Sequence, residues 1–198
     1  MEDDLMERRG SSVTRKTGET KITVSLTLDG EGAFRGSTGI KFFDHILSLL
    51  AYHSFMDLSI EAEWDLKHHG VEDVGIVLGQ AMGEALGERE GIARFGYALI
   101  PMDEALAEAS VDLVRRPHIK VDLSLSNPSI EDMAAEDIVH FLQSLANSIP
   151  AVIHVNVRYG LNDHHRVEAA VKALAVAFRN AWQREPRRRG PPSSKGMV

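Results

Sequence analysis

The stretch Asn162-Asp163-His164-His165-Arg166-Val167-Glu168 is the most informative part of the sequence, because its core occurs a second time, as His68-His69-Gly70-Val71-Glu72. If each copy opens a helix, the glutamate lies four residues after the first histidine and three after the second, between two imidazoles on one face. The imidazoles then point about 100 degrees apart, at about 3.6 residues per turn. They are poorly placed to hold one ion together and well placed to serve two ions. The pattern predicts a two-metal site built from a duplicated half.

A second landmark repeats with nearly the same period. His45 precedes His68 by 23 residues, and His140 precedes His164 by 24. A period of about 95 residues is too long for a solenoid and indicates the duplication of a half-domain. We predict half-domains at 1–90 and 91–185, followed by a tail at 186–198 that is rich in Arg, Pro, Gly and Ser.

The apolar periodicity predicts an α+β fold in which each half has the order β-β-α-β-α. Residues 21–28 alternate as a half-buried strand, and Asp29-Gly30-Glu31-Gly32 then predicts a hairpin turn. Further strands are predicted at 58–64, 107–113, 119–125 and 152–157, and helices at 42–51, from the first His-His motif to the stop at Gly87, at 133–148 and at 164–182.

The composition of the chain excludes several classes of function and of metal site. The chain has 198 residues, 43% of them hydrophobic, and a net charge of −7, which argues against a nucleic-acid surface despite the basic segment 184–189. No apolar run approaches the roughly 20 residues that cross a membrane, and the acidic N-terminus is unlike a targeting peptide, so we expect a cytoplasmic protein. Cysteine is absent. Any metal must therefore be held by histidine and carboxylate, which favours manganese, iron or catalytic zinc.

Six of the nine histidines fall in the repeated pattern and are candidate metal ligands, together with Glu72 and Glu168. His53, His118 and His154 lack such partners and are interpreted as structural. Other polar residues fit an anion contact or a solvated surface equally well: Arg94, Arg116 and Lys172 as cations, Glu19 before a strand, and Asp103 and Glu104 as loop carboxylates.

Taken together, these motifs resemble the imidazoleglycerol-phosphate dehydratases of histidine biosynthesis over nearly the whole chain. The motifs are Phe42-Phe43-Asp44-His45, the stretch 68–76, Arg94-Phe95-Gly96, the stretch 101–106, the stretch 162–168 and Ser193-Ser194-Lys195-Gly196. Two departures stand out. Gly70 replaces the usual Thr of the family, and Val114-Arg115-Arg116-Pro117 replaces a Ser-Gly-Arg-Pro type segment, although Arg116 keeps its place before Pro117.

The resemblance implies two similar half-domains of the ribosomal protein S5 domain 2-like type, each a sheet backed by helices. It also implies a homo-oligomer, in which trimers assemble into a shell of two dozen subunits with two Mn²⁺ per active site at the subunit boundaries. The implied reaction removes water from D-erythro-imidazole-glycerol phosphate to give imidazole-acetol phosphate. The implied metal ligands are His45, His68, His69, Glu72, His140, His164, His165 and Glu168, and the implied substrate contacts are Glu19, Arg94, Arg116, Lys172, Ser193 and Lys195.

The chemistry explains why such residues would be needed. No carbonyl accepts the charge that develops when the substrate loses its proton, so the imidazole ring must accept it as an imidazolate, which expels the hydroxyl through a diazafulvene-like intermediate. Metals at both ring nitrogens would favour that form. Glu19, Glu168 and His45 are the candidate catalytic residues, with Glu19 as the proton shuttle and Glu168 able to exchange between ligation and proton transfer.

Two other functions remain open from the residues alone. Asp163-His164-His165 is similar to the Asp-His-His motif of two-metal phosphoesterases, although those enzymes add several aspartates that this chain replaces with glutamate. Alternatively, the histidines bind ions that merely hold a metal-storing or shell-forming protein together. In that case no substrate is turned over.

Overall fold

The computed structural model describes residues 8–196 of the chain. The predicted first half-domain therefore begins, and the predicted tail ends, outside the described residues. The strands are β1 (Gly10–Lys16), β2 (Thr20–Thr27), β3 (Phe34–Gly36), β4 (Asp57–Trp64), β5 (Phe95–Met102), β6 (Ala105–Asp112), β7 (His118–Asp122), β8 (Ser129–Ile130), β9 (Met133–Ala134) and β10 (Val152–Tyr159). The helices are α1 (Lys41–Ser54), α2 (Lys67–Leu86), α3 (Ala135–Ser148) and α4 (Asp163–Trp182).

Two four-stranded sheets with the same strand order carry the duplication. The first has the order β1-β2-β4-β3 and the second the order β5-β6-β10-β7. In each sheet the last strand is parallel to its neighbour and the other pairs are antiparallel. The predicted α+β class with two duplicated half-domains is confirmed. Each sheet contains one strand more than the predicted order, because the edge strands β1 and β5 precede the strands that the alternation indicated.

The predicted hairpin after β2 is wrong. The chain leaves β2 and runs past β4, so β3 pairs parallel with β4 at the far side of the sheet. The Asp57 carboxylate explains this path, because it accepts hydrogen bonds from the backbone N–H groups of Glu31 and Ala33 at 2.9 and 3.0 Å. The loop is thereby bound to the start of β4 instead of turning back along β2.

The helices form the interior layer. α2 packs on β1 and β2, α4 packs on β5 and β6, and the halves meet through the pairs α1 with α4 and α2 with α3. Phe43 of α1 and Phe141 of α3 are fully buried and meet edge to face, with 4.9 Å between ring centroids. The core is therefore continuous across the halves. None of the helices within residues 8–196 combines the length and apolarity needed to cross a membrane.

Candidate metal centres

The first turn of α2 and the middle of α3 build one cluster of metal-ligand type, which we call the His68 cluster. It consists of His68, Glu72 and His140, whose ligand atoms lie within 4.8 Å of one another. The Nε2 atom of His140 is 3.5 Å from Oε1 of Glu72, and the His68 and His140 ring centroids are 4.8 Å apart. His68 and Glu72 share a helix face because they are four residues apart.

The first turn of α4 and helix α1 build a second cluster, the His164 cluster, from His45, His164 and Glu168. Oε1 of Glu168 lies 2.8 Å from Nε2 of His45 and 3.0 Å from Nε2 of His164. Each cluster thus combines the His and Glu of one half with the single His of the other half. This exchange follows from the packing of α1 on α4 and of α2 on α3.

The second histidine of each motif points away from these clusters. Nδ1 of His69 lies 2.8 Å from Asp65 and 3.7 Å from Glu19. His165 lies on the corresponding side of α4, with Nδ1 2.7 Å from Glu104. Consecutive histidines therefore separate, in the way that the helical geometry predicts. The proposed proton shuttle Glu19 lies beside His69.

Carboxylates that the sequence analysis did not single out hold the histidine rings. Nδ1 of His68 meets Oδ1 of Asp137 at 2.6 Å, and Nδ1 of His164 meets Oε1 of Glu131 at 3.1 Å. Together with Asp65 and Glu104, four carboxylates thus contact the Nδ1 atoms of the four motif histidines. With Nδ1 engaged, Nε2 is the nitrogen left to bind a metal, an arrangement common around metal-ligating histidines.

Glu104 is more than a loop carboxylate. Its Oε1 accepts hydrogen bonds from the backbone N–H groups of Leu161 and Asn162 at 3.1 and 2.8 Å, and its Oε2 holds His165. The hydrogen bonds from His165 and from these amides lower the pKa of Glu104 to about 2, and the same contact raises the pKa of His165. The side chain therefore joins the turn before β6 to the start of α4.

A lysine neutralises the carboxylate of the His164 cluster. Burial alone would raise the pKa of Glu168, but hydrogen bonds from Lys172, His45 and His164 lower it to about 2. Nζ of Lys172 lies 2.5 Å from Oε2 of Glu168 and 3.1 Å from Sδ of Met102. Of the predicted substrate contacts, Lys172 and Glu19 thus lie next to candidate metal ligands.

An open cavity of about 640 Å³ adjoins the His164 cluster, a size that suits a small molecule. One wall is the turn of the β8–β9 hairpin, where Asp132 accepts the backbone N–H groups of Lys41 and Phe42 at 2.8 and 2.9 Å. This carboxylate from the second half caps α1 of the first. The cavity is lined by Lys41, Phe42, His45, Glu131, Asp132, His164 and Glu168.

Arg94, another predicted substrate contact, lies at the opposite end of α4. The backbone N–H of Arg94 donates to the carbonyl of Ala181, which is 17 residues beyond His164, or about 25 Å at 1.5 Å per residue. The guanidinium of Arg94 binds Asp112 at 2.6 and 3.0 Å and the carbonyl of Pro192 at 3.1 Å, so it anchors the tail that carries Ser193. Arg116 and Lys195 are exposed.

Asp163 does not join either cluster. Its Oδ2 accepts the backbone N–H groups of Ser126 and Asn127 at 3.0 and 2.8 Å, and its Oδ1 lies 2.8 Å from Arg166. The Asp-His-His stretch therefore uses its aspartate to hold a loop, which removes the feature that favoured a phosphoesterase.

Comparison with known proteins agrees with this geometry. The family model described as imidazoleglycerol-phosphate dehydratase matches residues 38–178. A protein of that name from Clostridium botulinum is 45% identical over 98% of this chain and 100% of its own length. The one from Phytophthora nicotianae is 46% identical over 96% of this chain, which spans 42% of that longer protein.

Solved structures give the same result. The crystal structure of imidazoleglycerol-phosphate dehydratase from Staphylococcus aureus is 31% identical, with a TM-score of 0.81 over 88% of this chain and 99% of that one. The enzyme from Pyrococcus furiosus, solved in complex with (S)-C348, is 36% identical, with a TM-score of 0.78 over 94% of this chain and 100% of that one. The chain therefore belongs to the imidazoleglycerol-phosphate dehydratase family, whose members are hydro-lyases of histidine biosynthesis.

Proposed function

We propose that this chain dehydrates D-erythro-imidazole-glycerol phosphate to imidazole-acetol phosphate, with two Mn²⁺ ions per active site. The observation that carries the proposal is the pair of His-His-Glu clusters, because a substrate with an imidazole ring offers two nitrogens to two ions. The cavity next to the His164 cluster leaves room for a small molecule.

The residues present fit manganese. Each cluster supplies two imidazoles and one carboxylate, and no cysteine is available in the chain to select a softer metal. In the His164 cluster the Nε2 atoms of both histidines converge on one oxygen of Glu168. Three donors also leave coordination positions for further ligands and for substrate.

The active site is proposed to be completed between subunits. His69 and His165 point away from both clusters, so they are free to serve a cluster of a neighbouring copy. The candidate phosphate contacts near Arg94 lie about 25 Å from the metal ligands along α4, too far for one small substrate to bridge within one chain. Both observations support a homo-oligomer, for which we propose trimers that assemble into a shell of 24 subunits.

When bound, the ions would stabilise the imidazolate form of the substrate ring and the departing hydroxyl. Glu19 is proposed to move the proton of the substrate side chain, because its carboxylate is largely exposed beside His69 and holds no Lys or Arg in an ion pair within the described residues. The imidazolate ring would expel the neighbouring hydroxyl, which takes up a proton and leaves as water, and the neutral diazafulvene-like species would then lose the side-chain proton to Glu19 to give the enol of the product. Lys172 is proposed to hold the substrate near Glu168, and His45 and Glu168 to act at the reacting carbon.

The phosphate is proposed to bind at the far end of α4 of a neighbouring copy. Arg94, Arg116 and Lys195 offer charge-assisted hydrogen bonds to its oxygens, and Ser193 offers a hydroxyl. Pro192 is bound to Arg94 through its carbonyl, so the guanidinium and the tail are held together. The tail and Arg94 would therefore act as one unit on the phosphate.

The experiment incubates the purified chain with Mn²⁺ and imidazole-glycerol phosphate and measures the enol-absorbing product in alkali. We expect turnover that is lost in Glu19→Gln while metal binding is retained. Normal turnover in Glu19→Gln would refute the role of that residue. Release of inorganic phosphate would support a phosphoesterase instead, and metal-dependent assembly without turnover would support a metal-storing protein.

A further inference from the structure

The two clusters differ at a position that the duplication makes comparable. Asp137 lies three residues before His140, and Phe42 lies three residues before His45. Asp137 is 7% exposed and binds Nδ1 of His68 at 2.6 Å. Phe42 instead places its ring 4.9 Å from the ring of His164. The first turn of α3 thus supplies a buried carboxylate to one cluster, where α1 supplies an apolar wall to the other.

The carboxylate at Nδ1 of His164 comes from a different element and makes a weaker contact. Glu131 belongs to the turn of the β8–β9 hairpin, its side chain is 61% exposed, and its oxygen is 3.1 Å from Nδ1. Solvent screens such a charge and competes for the hydrogen bond. At Nδ1, the nitrogen that faces away from the cluster, His68 therefore has the shorter and more buried carboxylate contact of the two rings.

A second difference concerns the ligand carboxylates. Lys172, four residues after Glu168, places a cation 2.5 Å from its carboxylate, whereas the equivalent position four residues after Glu72 is Ile76. Within residues 8–196 no lysine or arginine forms an ion pair with Glu72 or Asp137. The His68 cluster therefore carries two uncompensated carboxylates, and the His164 cluster has its ligand carboxylate neutralised.

The other pair of motif histidines does not offset this difference. His69 lies 2.8 Å from Asp65 and 3.7 Å from Glu19, and His165 lies 2.7 Å from Glu104 and 3.7 Å from Asp103, so each brings two carboxylates of its own. Whichever cluster of a neighbouring copy these histidines complete, they contribute alike. The difference between the clusters thus arises from Asp137 and Lys172.

We infer that the clusters are inequivalent metal sites: Asp137 is a positioning residue that aims Nε2 of His68, and the His68 cluster binds a divalent cation more tightly and fills first. This inference rests on the proposed metal-dependent function. The physical reason is twofold, since a fixed ring orientation removes the cost of ordering the ligand and a more negative site attracts a dication more strongly.

The test is a Mn²⁺ titration of the metal-stripped full-length chain, with free Mn²⁺ read from its electron paramagnetic resonance signal. We expect two affinity classes of one ion per chain each. His45→Ala, which removes a ligand of the His164 cluster, should leave the tighter class, and His140→Ala should leave the weaker one. The opposite assignment, or a single class of two ions with equal affinity, would overturn the inference.

Variants at the two distinguishing positions sharpen the result. Asp137→Asn should weaken the tighter class about 10-fold or more, in the range found for ligands behind metal-binding histidines, and Asp137→Ala should weaken it further because Asn keeps one acceptor. The matched control Glu131→Gln should change the weaker class less than about threefold, because its charge is exposed. An unchanged weaker class in Asp137→Asn shows that the fold is intact. If Asp137 had only a structural role, its loss would weaken both classes.

Lys172→Ile introduces the residue found at the equivalent position of the first half, Ile76, and removes the cation beside Glu168. It should tighten the weaker class several-fold and leave the tighter one unchanged, and no change would contradict the charge argument. The outcomes distinguish failure of the proposed function from failure of the inequivalence. Absence of Mn²⁺ binding at either cluster refutes the proposed function, whereas two equal sites refute only the inequivalence.

Discussion

Gly70 lies in the first turn of α2, between the metal-ligand candidates His69 and Glu72, and Trp64 at the end of β4 covers it. A Cβ atom added at residue 70 would lie 2.0 Å from Cε3 and 2.1 Å from Cδ2 of the Trp64 ring. Carbon atoms in contact are normally about 3.5–4.0 Å apart, so the ring would have to withdraw by roughly 1.5 Å. Trp64 in this position therefore leaves no room for a side chain at residue 70.

We therefore predict that Gly70→Ala destabilises the chain by about 1–3 kcal/mol, the usual cost of overpacking a filled site. The same change in open helix would stabilise by about 1 kcal/mol, because glycine is a poor helix former. In a Trp64→Ala background the sign should accordingly reverse. Trp64 is partly buried against the core, so that background is itself less stable than the native chain.

The assay is urea unfolding of the native chain, both single variants and the double variant, as a double-mutant cycle. We expect a coupling free energy of about 2–4 kcal/mol between the two positions. Additive effects, with Gly70→Ala equally harmful in both backgrounds, would refute the reasoning. Mn²⁺ affinity measured in the same set reports whether the first turn of α2 keeps its ligands in place.

Three further predictions concern other parts of the chain. Gly96→Ala should destabilise by about 3 kcal/mol or more in thermal unfolding, because its Cβ would lie 1.9 Å from the backbone oxygen of Ala177, which cannot move away. Burial raises the pKa of Asp29, but the hydrogen bonds from Arg9 outweigh burial, so the pKa lies below 3.8 in the folded chain. The stability that results is present above about pH 4 and is lost as the pH falls through the folded pKa. Asp29→Asn should weaken this pH dependence in acid titrations of unfolding. Deleting residues 191–198 should raise KM in steady-state assays and have little effect on the unfolding temperature.

The helices and central strands could be predicted because their apolar residues recur at regular spacing. α1, α2, α4, β2, β4 and β10 lie where the periodicity placed them, within a few residues at each end. β1 was missed because it is an edge strand with largely polar residues, in which only the inward side is partly buried. β5 was missed because its outward side carries Phe95, Tyr97 and Leu99, which hides the alternation.

The candidate site could be predicted only in part. The repeated motif indicated the ligand types and the separation of consecutive histidines, since both follow from helix geometry. The exchange of His45 and His140 between halves depends on which helices pack together, and spacing along the chain carries no information about that. Asp137 could have been found, because it precedes His140 by three residues on one predicted helix. Glu131 could not, because a hairpin turn brings it to His164.

Anomalous diffraction at the manganese absorption edge, from crystals of the Mn²⁺-loaded chain, locates the metal ions themselves. We expect two anomalous peaks per chain, one at Nε2 of His68 and His140 with Glu72, and one at Nε2 of His45 and His164 with Glu168. A single peak, or peaks away from both clusters, would show that the clusters are not the two metal sites.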